Sequence, residues 1–217
     1  MAGRRSYGDP CGLARGLDVV GERWALLVVR ELLNGPKRFS ELSRGLPGMS
    51  QNVLAARLRE LETDSVVRNY RLGPPASTRV YELTQRGYQL EELLIAASRW
   101  GNGVPFDAVD ARADLSVDAL ALAMKTAFDG KRAGALRARV ELCLDGDRFH
   151  ADIEHGEFRI ARGAARTADA ILDTNVATMR GLVFGSLSLT DALRSRAVRL
   201  TGDQRVATRF VNCFPGK

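Results

Sequence analysis

Phe39-Ser-Glu-Leu-Ser-Arg-Gly-Leu-Pro-Gly-Met-Ser-Gln-Asn-Val-Leu-Ala-Ala-Arg-Leu-Arg-Glu-Leu-Glu62 is the stretch whose reading decides the fold of the front of the chain. Phe39, Leu42 and Leu46 predict a short helix that Pro47-Gly48 ends. Ser50 can cap the free N–H groups of the next helix, and Gln51 to Glu62 have good helix propensity. Leu54, Leu58 and Leu61 share one face of it. At about 100° per residue, Asn52, Ala55, Ala56 and Arg59 lie largely opposite. That outer face is small, polar and cationic, and it can press close to another surface.

Upstream, Leu13, Leu17, Val20 and Trp24 recur at helical intervals, with Gly21 expected to divide the run into two helices. The second continues through Leu27, Val28, Glu31 and Leu32 and stops at Asn34-Gly35-Pro36. Downstream, Val66 to Leu72 and Thr78 to Leu83 are rich in β-branched and aromatic residues and flank Gly73-Pro74-Pro75-Ala76-Ser77. With Arg68, Arg71 and Arg79 interspersed, they predict a basic β-hairpin with a Pro-rich tip. Thr84 then caps one long helix through Tyr88, Leu90, Leu93, Leu94, Ala97 and Trp100.

Short helix, tight turn, capped helix and basic hairpin follow the order of a winged helix-turn-helix. A major groove about 12 Å wide accepts one helix and offers base-edge donors and acceptors. Gln51, Asn52 and Arg59 can meet those edges, while Ala55 and Ala56 allow close approach. Ser50 and Arg38 are expected DNA contacts as well, and Arg71 and Arg79 would meet phosphates or an adjacent minor groove. Double-stranded DNA is therefore the expected partner. Each piece alone has a plainer meaning, a solvated helix or a basic surface turn, and the order is what distinguishes them.

The chain has 217 residues, which favours two small domains. Lys and Arg outnumber Asp and Glu by 32 to 26, a formal +6 that permits an anionic partner without demanding one. Nine basic residues against five acidic ones fall between Lys37 and Arg86, so the bias is local, as a DNA-binding face requires. No apolar run approaches the roughly 18 residues of a membrane helix, and the basic start has no apolar segment behind it. A cytoplasmic protein with no membrane association is expected. Cys11, Cys143 and Cys213 form neither a disulfide framework nor a zinc pattern.

Residues 101–116 read as a connector, giving domains at 1–101 and 116–217 with a linker at 102–115. Behind it the spacing predicts a helix (Val117 to Phe128), then strands Leu136–Leu144, Arg148–Glu154, Glu157–Ala161 and Ala168–Leu172 in a meander. Asp145-Gly146-Asp147 and His155-Gly156 supply its first turns. Helices at about Val176–Phe184 and Leu189–Arg194, a short strand Val198–Leu200 and a helix from Asp203 complete an α+β pattern. By strand alternation His150 and His155 face opposite ways and make no metal pair. Phosphate-loop, nucleophile-elbow and zinc-protease motifs are absent, so no catalytic set, metal or cofactor is expected.

Cys11-Gly-Leu-Ala-Arg-Gly-Leu-Asp-Val-Val-Gly-Glu-Arg-Trp24, the stretch through Phe39-Ser-Glu-Leu42, Leu46 to Leu61 and Tyr81-Glu-Leu-Thr-Gln-Arg-Gly87 resemble the HxlR family of winged-helix bacterial transcription regulators. The similarity runs from Cys11 to Gly101, and Ser65 stands where that family usually has glycine. The resemblance implies a homodimer joined through the N-terminal helices and the helix near Trp100. Two recognition helices would then face a near-palindromic operator, about 34–36 Å apart. It also places Cys11 at a position that senses oxidants or electrophiles in some members. A buried cysteine acting as a small apolar residue is the other reading.

Asp169-Ala-Ile-Leu-Asp173, Thr178-Met-Arg-Gly-Leu-Val-Phe-Gly185 and Val198-Arg-Leu-Thr-Gly-Asp203 resemble the sterol carrier protein 2 fold over about Ser116 to Phe214. That implies an apolar tunnel for a small hydrophobic ligand, with Met124, Phe128, Met179 and Phe184 as lining residues. The alternatives are a filled core, or a domain that mainly strengthens dimerisation. The expected whole is a dimeric regulator modulated by a lipid-like effector. The rivals are a lipid carrier whose front half serves mainly for dimerisation, and, more remotely, an enzyme acting on an acyl substrate.

Overall fold

The computed structural model describes residues 6–73, 78–104, 115–185 and 187–214. Its contacts divide the chain into two compact units, Met1–Ala97 and Ser98–Lys217. The wing tip at 74–77 and most of the expected connector, 105–114, lie outside the described residues.

The first unit opens with α1 (Gly12–Val20), α2 (Ala25–Leu32), α3 (Phe39–Gly45) and α4 (Gln51–Thr63). Gly21 ends α1 with its N–H on the carbonyl of Leu17 at 2.7 Å. Between α3 and α4 the chain turns through Gly48 at φ +84°, a left-handed conformation that glycine adopts without Cβ strain. The Ser50 hydroxyl accepts the Val53 N–H at 3.3 Å, the expected cap of α4. Val28, Leu32, Leu42, Leu54, Leu58 and Leu61 are essentially inaccessible and form the core.

Helix α4 ends in a Schellman motif: Ser65 N–H bonds Glu62 O at 3.0 Å and Val66 N–H bonds Leu61 O at 2.8 Å. Ser65 holds the left-handed position at φ +58°. The chain then runs into β1 (Val67–Arg71), paired antiparallel with β2 (Arg79–Leu83), and the Lys37 backbone bridges to Tyr81. The single long helix expected after Thr84 is two, α5 (Gln85–Tyr88) and α6 (Glu91–Gly101). Thr84 does cap α5, accepting the Gly87 N–H at 3.1 Å, but its hydroxyl also donates to the Ser65 carbonyl at 2.6 Å. The tie to the end of α4 fixes α5, and Leu90 closes it with a bond back to Gly87 at 3.1 Å. Both pieces keep helical spacing, so periodicity does not show the break. The unit boundary falls within α6.

The second unit contains α7 (Val117–Ala127), α8 (Gly130–Ala133), β3 (Ala138–Leu144), β4 (Asp147–Glu154), β5 (Glu157–Arg162), β6 (Ala170–Thr174), α9 (Val176–Phe184), α10 (Leu189–Arg194), β7 (Arg199–Gly202) and α11 (Gln204–Asn212). One five-stranded sheet runs β5-β4-β3-β6-β7. Strands β3 to β5 form the expected meander. The fourth strand does not continue it: β6 crosses to the far side of β3 and pairs parallel to it. The Asp169 carboxylate accepts the Arg139 N–H at 2.8 Å, and the Arg139 carbonyl accepts the Asp169 N–H at 2.9 Å, setting the register. Gly202, at φ +92°, sits against the Asp169 carbonyl, where a Cβ has no room, and leads β7 into α11.

Alternation gives the sheet two unlike faces. Val140, Leu142, Phe149, Ala151 and Leu172 join Leu120, Met124, Met179 and Phe210 in one buried cluster. The opposite face carries Arg139, Glu141, Arg148, His150 and Asp152. Glu141 is buried there, accepting the Ala165 N–H and two guanidinium bonds from Arg148. Burial alone would raise its carboxyl, but the Ala165 N–H and Arg148 outweigh it and hold it below the usual carboxylate range. Arg162 reaches the buried Asp118 at 2.6 Å and Asp147 at 2.8 Å while lying over the Phe149 ring, tying α7 to the sheet.

Candidate nucleic-acid interface and ligand groove

Helix α4 presents the outer face that its spacing predicts. Gln51, Asn52 and Arg59 are exposed and Ala55 and Ala56 half-buried between them, while Leu54, Leu58 and Leu61 point into the core. Val53, 40% exposed on the first turn, adds an apolar contact point not singled out from the sequence. The Ser50 oxygen is occupied by its cap, which leaves the hydroxyl proton to donate outward. Arg38 is exposed at the head of α3, its backbone N–H held by the Glu41 carboxylate at 2.6 Å.

The hairpin register sets Arg71 directly opposite Arg79, both exposed. Like charges facing across an antiparallel pair repel, and an anion between them removes the repulsion. The Arg79 Nε–H donates to Asn69 Oδ1 at 2.8 Å, and the Asn69 amide donates to Glu62 of α4.

The cationic surface is smaller than the residue count between Lys37 and Arg86 indicates. Lys37 is buried, its Nζ 2.8 Å from Glu31 Oε2. Arg57 pairs with Glu60 and Glu22, and Arg68 with Glu82. Arg38, Arg44, Arg59, Arg71, Arg79 and Arg86 remain, all exposed and without an ion pair among the described residues. All but Arg44 and Arg86 stood among the expected DNA contacts.

Away from α4, Leu13 (71% exposed) and Leu17 lie one turn apart on α1. Leu93, Ala96, Ala97 and Trp100 (81% exposed) form an uncovered apolar stripe along α6. Cys11 is free and exposed at the head of α1. Burial pushes the thiols of Cys143 and Cys213 up, so both stay protonated at neutral pH.

In the second unit, Met124 and Met179 have no accessible surface and belong to the core. Phe128 stacks on Phe158 at 5.2 Å and meets the edge of Phe214 at 5.9 Å; Phe184 is half-buried at the end of α9. None of these four borders the groove of about 390 Å³, where Leu182, Leu187, Leu189, Val211 and Phe214 are mixed with polar Arg132, Ser188, Thr190, Thr208 and Asn212. Phe128 reaches it only through Phe214. A second hollow of about 620 Å³ is polar, with Arg137, Arg139 and Arg159 interleaved with Asp152, Glu154 and Glu157. His150 and His155 are separate, the first beside the Gly163 carbonyl and the second in the β4–β5 turn against Glu154. No cluster of three metal-binding side chains occurs among the described residues, and none of their helices is long and apolar enough to cross a membrane.

These two units define a winged helix-turn-helix DNA-binding domain followed by an α+β domain of the sterol-carrier type. The family of HxlR-like helix-turn-helix proteins matches residues 19–105, and the SCP-2 sterol transfer family matches residues 118–215. The chain is 40% identical over 87 residues to the HTH-type transcriptional regulator YvaP of Bacillus subtilis, covering 40% of this chain and 80% of that protein. It is 34% identical over 84 residues to the HTH-type transcriptional regulator YodB of the same organism, 39% of this chain and 75% of YodB. The reduced form of YodB, as a solved structure, aligns with a TM-score of 0.40 at 30% identity, covering 46% of this chain and 98% of YodB. The chain belongs to the HxlR-like helix-turn-helix family: it is a transcriptional regulator that binds DNA. Both curated relatives are named as transcriptional regulators.

Proposed function

We propose that the protein works as a homodimer that reads a near-palindromic operator through α4 and its wing, and that a small hydrophobic effector in the second domain modulates binding. One observation carries the DNA-reading part: the exposed Gln51, Asn52 and Arg59 stand on a helix whose other face is sealed in the core, and the wing sets Arg71 opposite Arg79, both without an ion pair among the described residues. Arg59 reads a base edge, and the two wing arginines and Arg38 hold phosphates. The exposed apolar stripe of α6, and separately Leu13 and Leu17 on α1, support a dimer face, because exposed apolar patches mark interaction sites.

For the effector, the groove beside Leu189 and Phe214 falls in the size range of small-ligand pockets, roughly 300–1,000 Å³. Each methylene buried there contributes about 0.8 kcal/mol. Residues 102–115 act as the linker between the domains. The effector regulates only if it binds the DNA-competent and incompetent dimers unequally, a coupling of about 1–3 kcal/mol in typical cases.

The test is selection of bound duplexes from random DNA, with and without extracted cellular lipids. An enriched two-fold motif whose recovery changes with lipid is the expected result. No enriched motif overturns the operator-reading part, and enrichment indifferent to lipid removes the sensor.

A further inference from the structure

We propose that Asn69 is a positioning residue that aims the wing arginine Arg79, and that Glu62 of the recognition helix holds Asn69 in place. The inference rests on the reading of Arg79 as a phosphate contact and extends it to how that contact is built.

An exposed arginine on a two-stranded hairpin is a poor phosphate ligand by itself, since its long side chain must be ordered on binding. Here it is ordered beforehand. Asn69 and Arg79 lie diagonally across the β1–β2 ladder on the same face, two residues out of direct register. The Asn69 Oδ1 accepts the Arg79 Nε–H at 2.8 Å, which leaves both terminal nitrogens of the guanidinium to face an anion. The Asn69 amide nitrogen donates to Glu62 Oε1. Only one orientation of the Asn69 amide serves both neighbours, because a carboxylate needs a donor and a guanidinium needs an acceptor. Asn69 and Glu62 are each half-buried, whereas Arg79 is exposed. Arg71, directly opposite Arg79, repels it and disfavours the collapsed arrangement in which both arginines lie along the strands. The chain Glu62–Asn69–Arg79 thus fixes the wing arginine relative to the helix that reads the bases, so one register serves both.

The experiment uses the full chain and a duplex obtained by the selection above, with affinity measured across a salt series. Arg79→Ala should lower the salt slope by about one unit, because one phosphate contact is lost. Asn69→Ala should weaken binding by roughly two- to tenfold, the cost of ordering one long side chain, with the slope unchanged because the contact still forms in the complex. In the Arg79→Ala background, Asn69→Ala should cost nothing further. An equal loss in both backgrounds would mean that Asn69 only supports the fold, and would overturn the proposal. Glu62→Ala and Glu62→Gln remove the same charge, but only glutamine keeps an oxygen for the Asn69 amide. The alanine variant should bind more weakly than the glutamine one, and equal binding also overturns the chain. If Arg79→Ala itself changes neither affinity nor slope, the phosphate reading of Arg79 fails and takes this inference with it. A normal Arg79→Ala loss with a silent Asn69→Ala sinks the positioning role alone.

Discussion

Ser65→Gly should stabilise the first unit. Ser65 occupies the left-handed position of the Schellman motif closing α4, at φ +58°, and the hydrogen bonds around it leave no freedom to relax. Its own N–H is on Glu62, the next N–H is on Leu61, and the Thr84 hydroxyl is on its carbonyl. An L-residue in this conformation costs about 1–2 kcal/mol. Glycine removes that strain but adds about 0.5–1 kcal/mol of freedom to the unfolded chain. The net gain is about 0.5–1 kcal/mol, a rise of roughly 3–6 °C in the melting of a unit of this size. Scanning calorimetry of the full chain measures it. Ser65→Ala should change little, since the serine hydroxyl makes no hydrogen bond among the described residues. Ser65→Val should destabilise by about 1–2 kcal/mol, because a β-branched residue at positive φ is worse than serine. A lower midpoint for glycine, or a valine variant as stable as the parent, would show that this junction is not left-handed and refute the reasoning.

Arg59→Ala should weaken operator binding and relax base preference by roughly 1–3 kcal/mol; titration against the selected duplex and its single-base variants tests this, and unchanged preference removes Arg59 as a reader. Glu141 is held below its ordinary range, so its stabilisation is complete above the unfolded value of about 4.3 and is lost as pH falls through the lower folded value. Denaturant midpoints at pH 7 and pH 3 should therefore fall further for the parent than for Glu141→Gln, and parallel losses would exclude this role. Asp118→Ala strands the Arg162 guanidinium with Asp147 as its remaining carboxylate, which should cost about 2–4 kcal/mol by chemical unfolding. Thr190→Trp, at an exposed position on the rim of the groove, should obstruct it and abolish any lipid response while leaving lipid-free DNA affinity intact; a retained response would place the effector elsewhere.

Much of the first unit was legible in the sequence because its signals are local. The Ser50 cap, the Pro47-Gly48 turn and the leucine spacing of α4 act within a few residues, and the observed helix bounds follow them. The outer face of α4 was legible for the same reason. Asn69 and Glu62 were not, since each makes sense only through a contact between a strand and a helix. The burial of Lys37 was hidden too, because its partner Glu31 is brought to it by the turn out of α2.

In the second unit the turns at Asp145-Gly146 and His155-Gly156 marked the meander, but no local signal tells β6 to leave it. A strand's hydrophobic pattern reads alike whichever neighbour it pairs with, and only the Asp169–Arg139 bonds and the shared core select β3. Met124 and Met179 were expected to line the tunnel that the sterol carrier resemblance implies; how helices and sheet close around them leaves both with no accessible surface, in the core. Periodicity, capping and turn chemistry determined which elements this chain makes and which helix faces outward. Which cations stay free, which strands pair and where a groove opens were decided by tertiary structure, because each depends on groups far apart in sequence meeting in space.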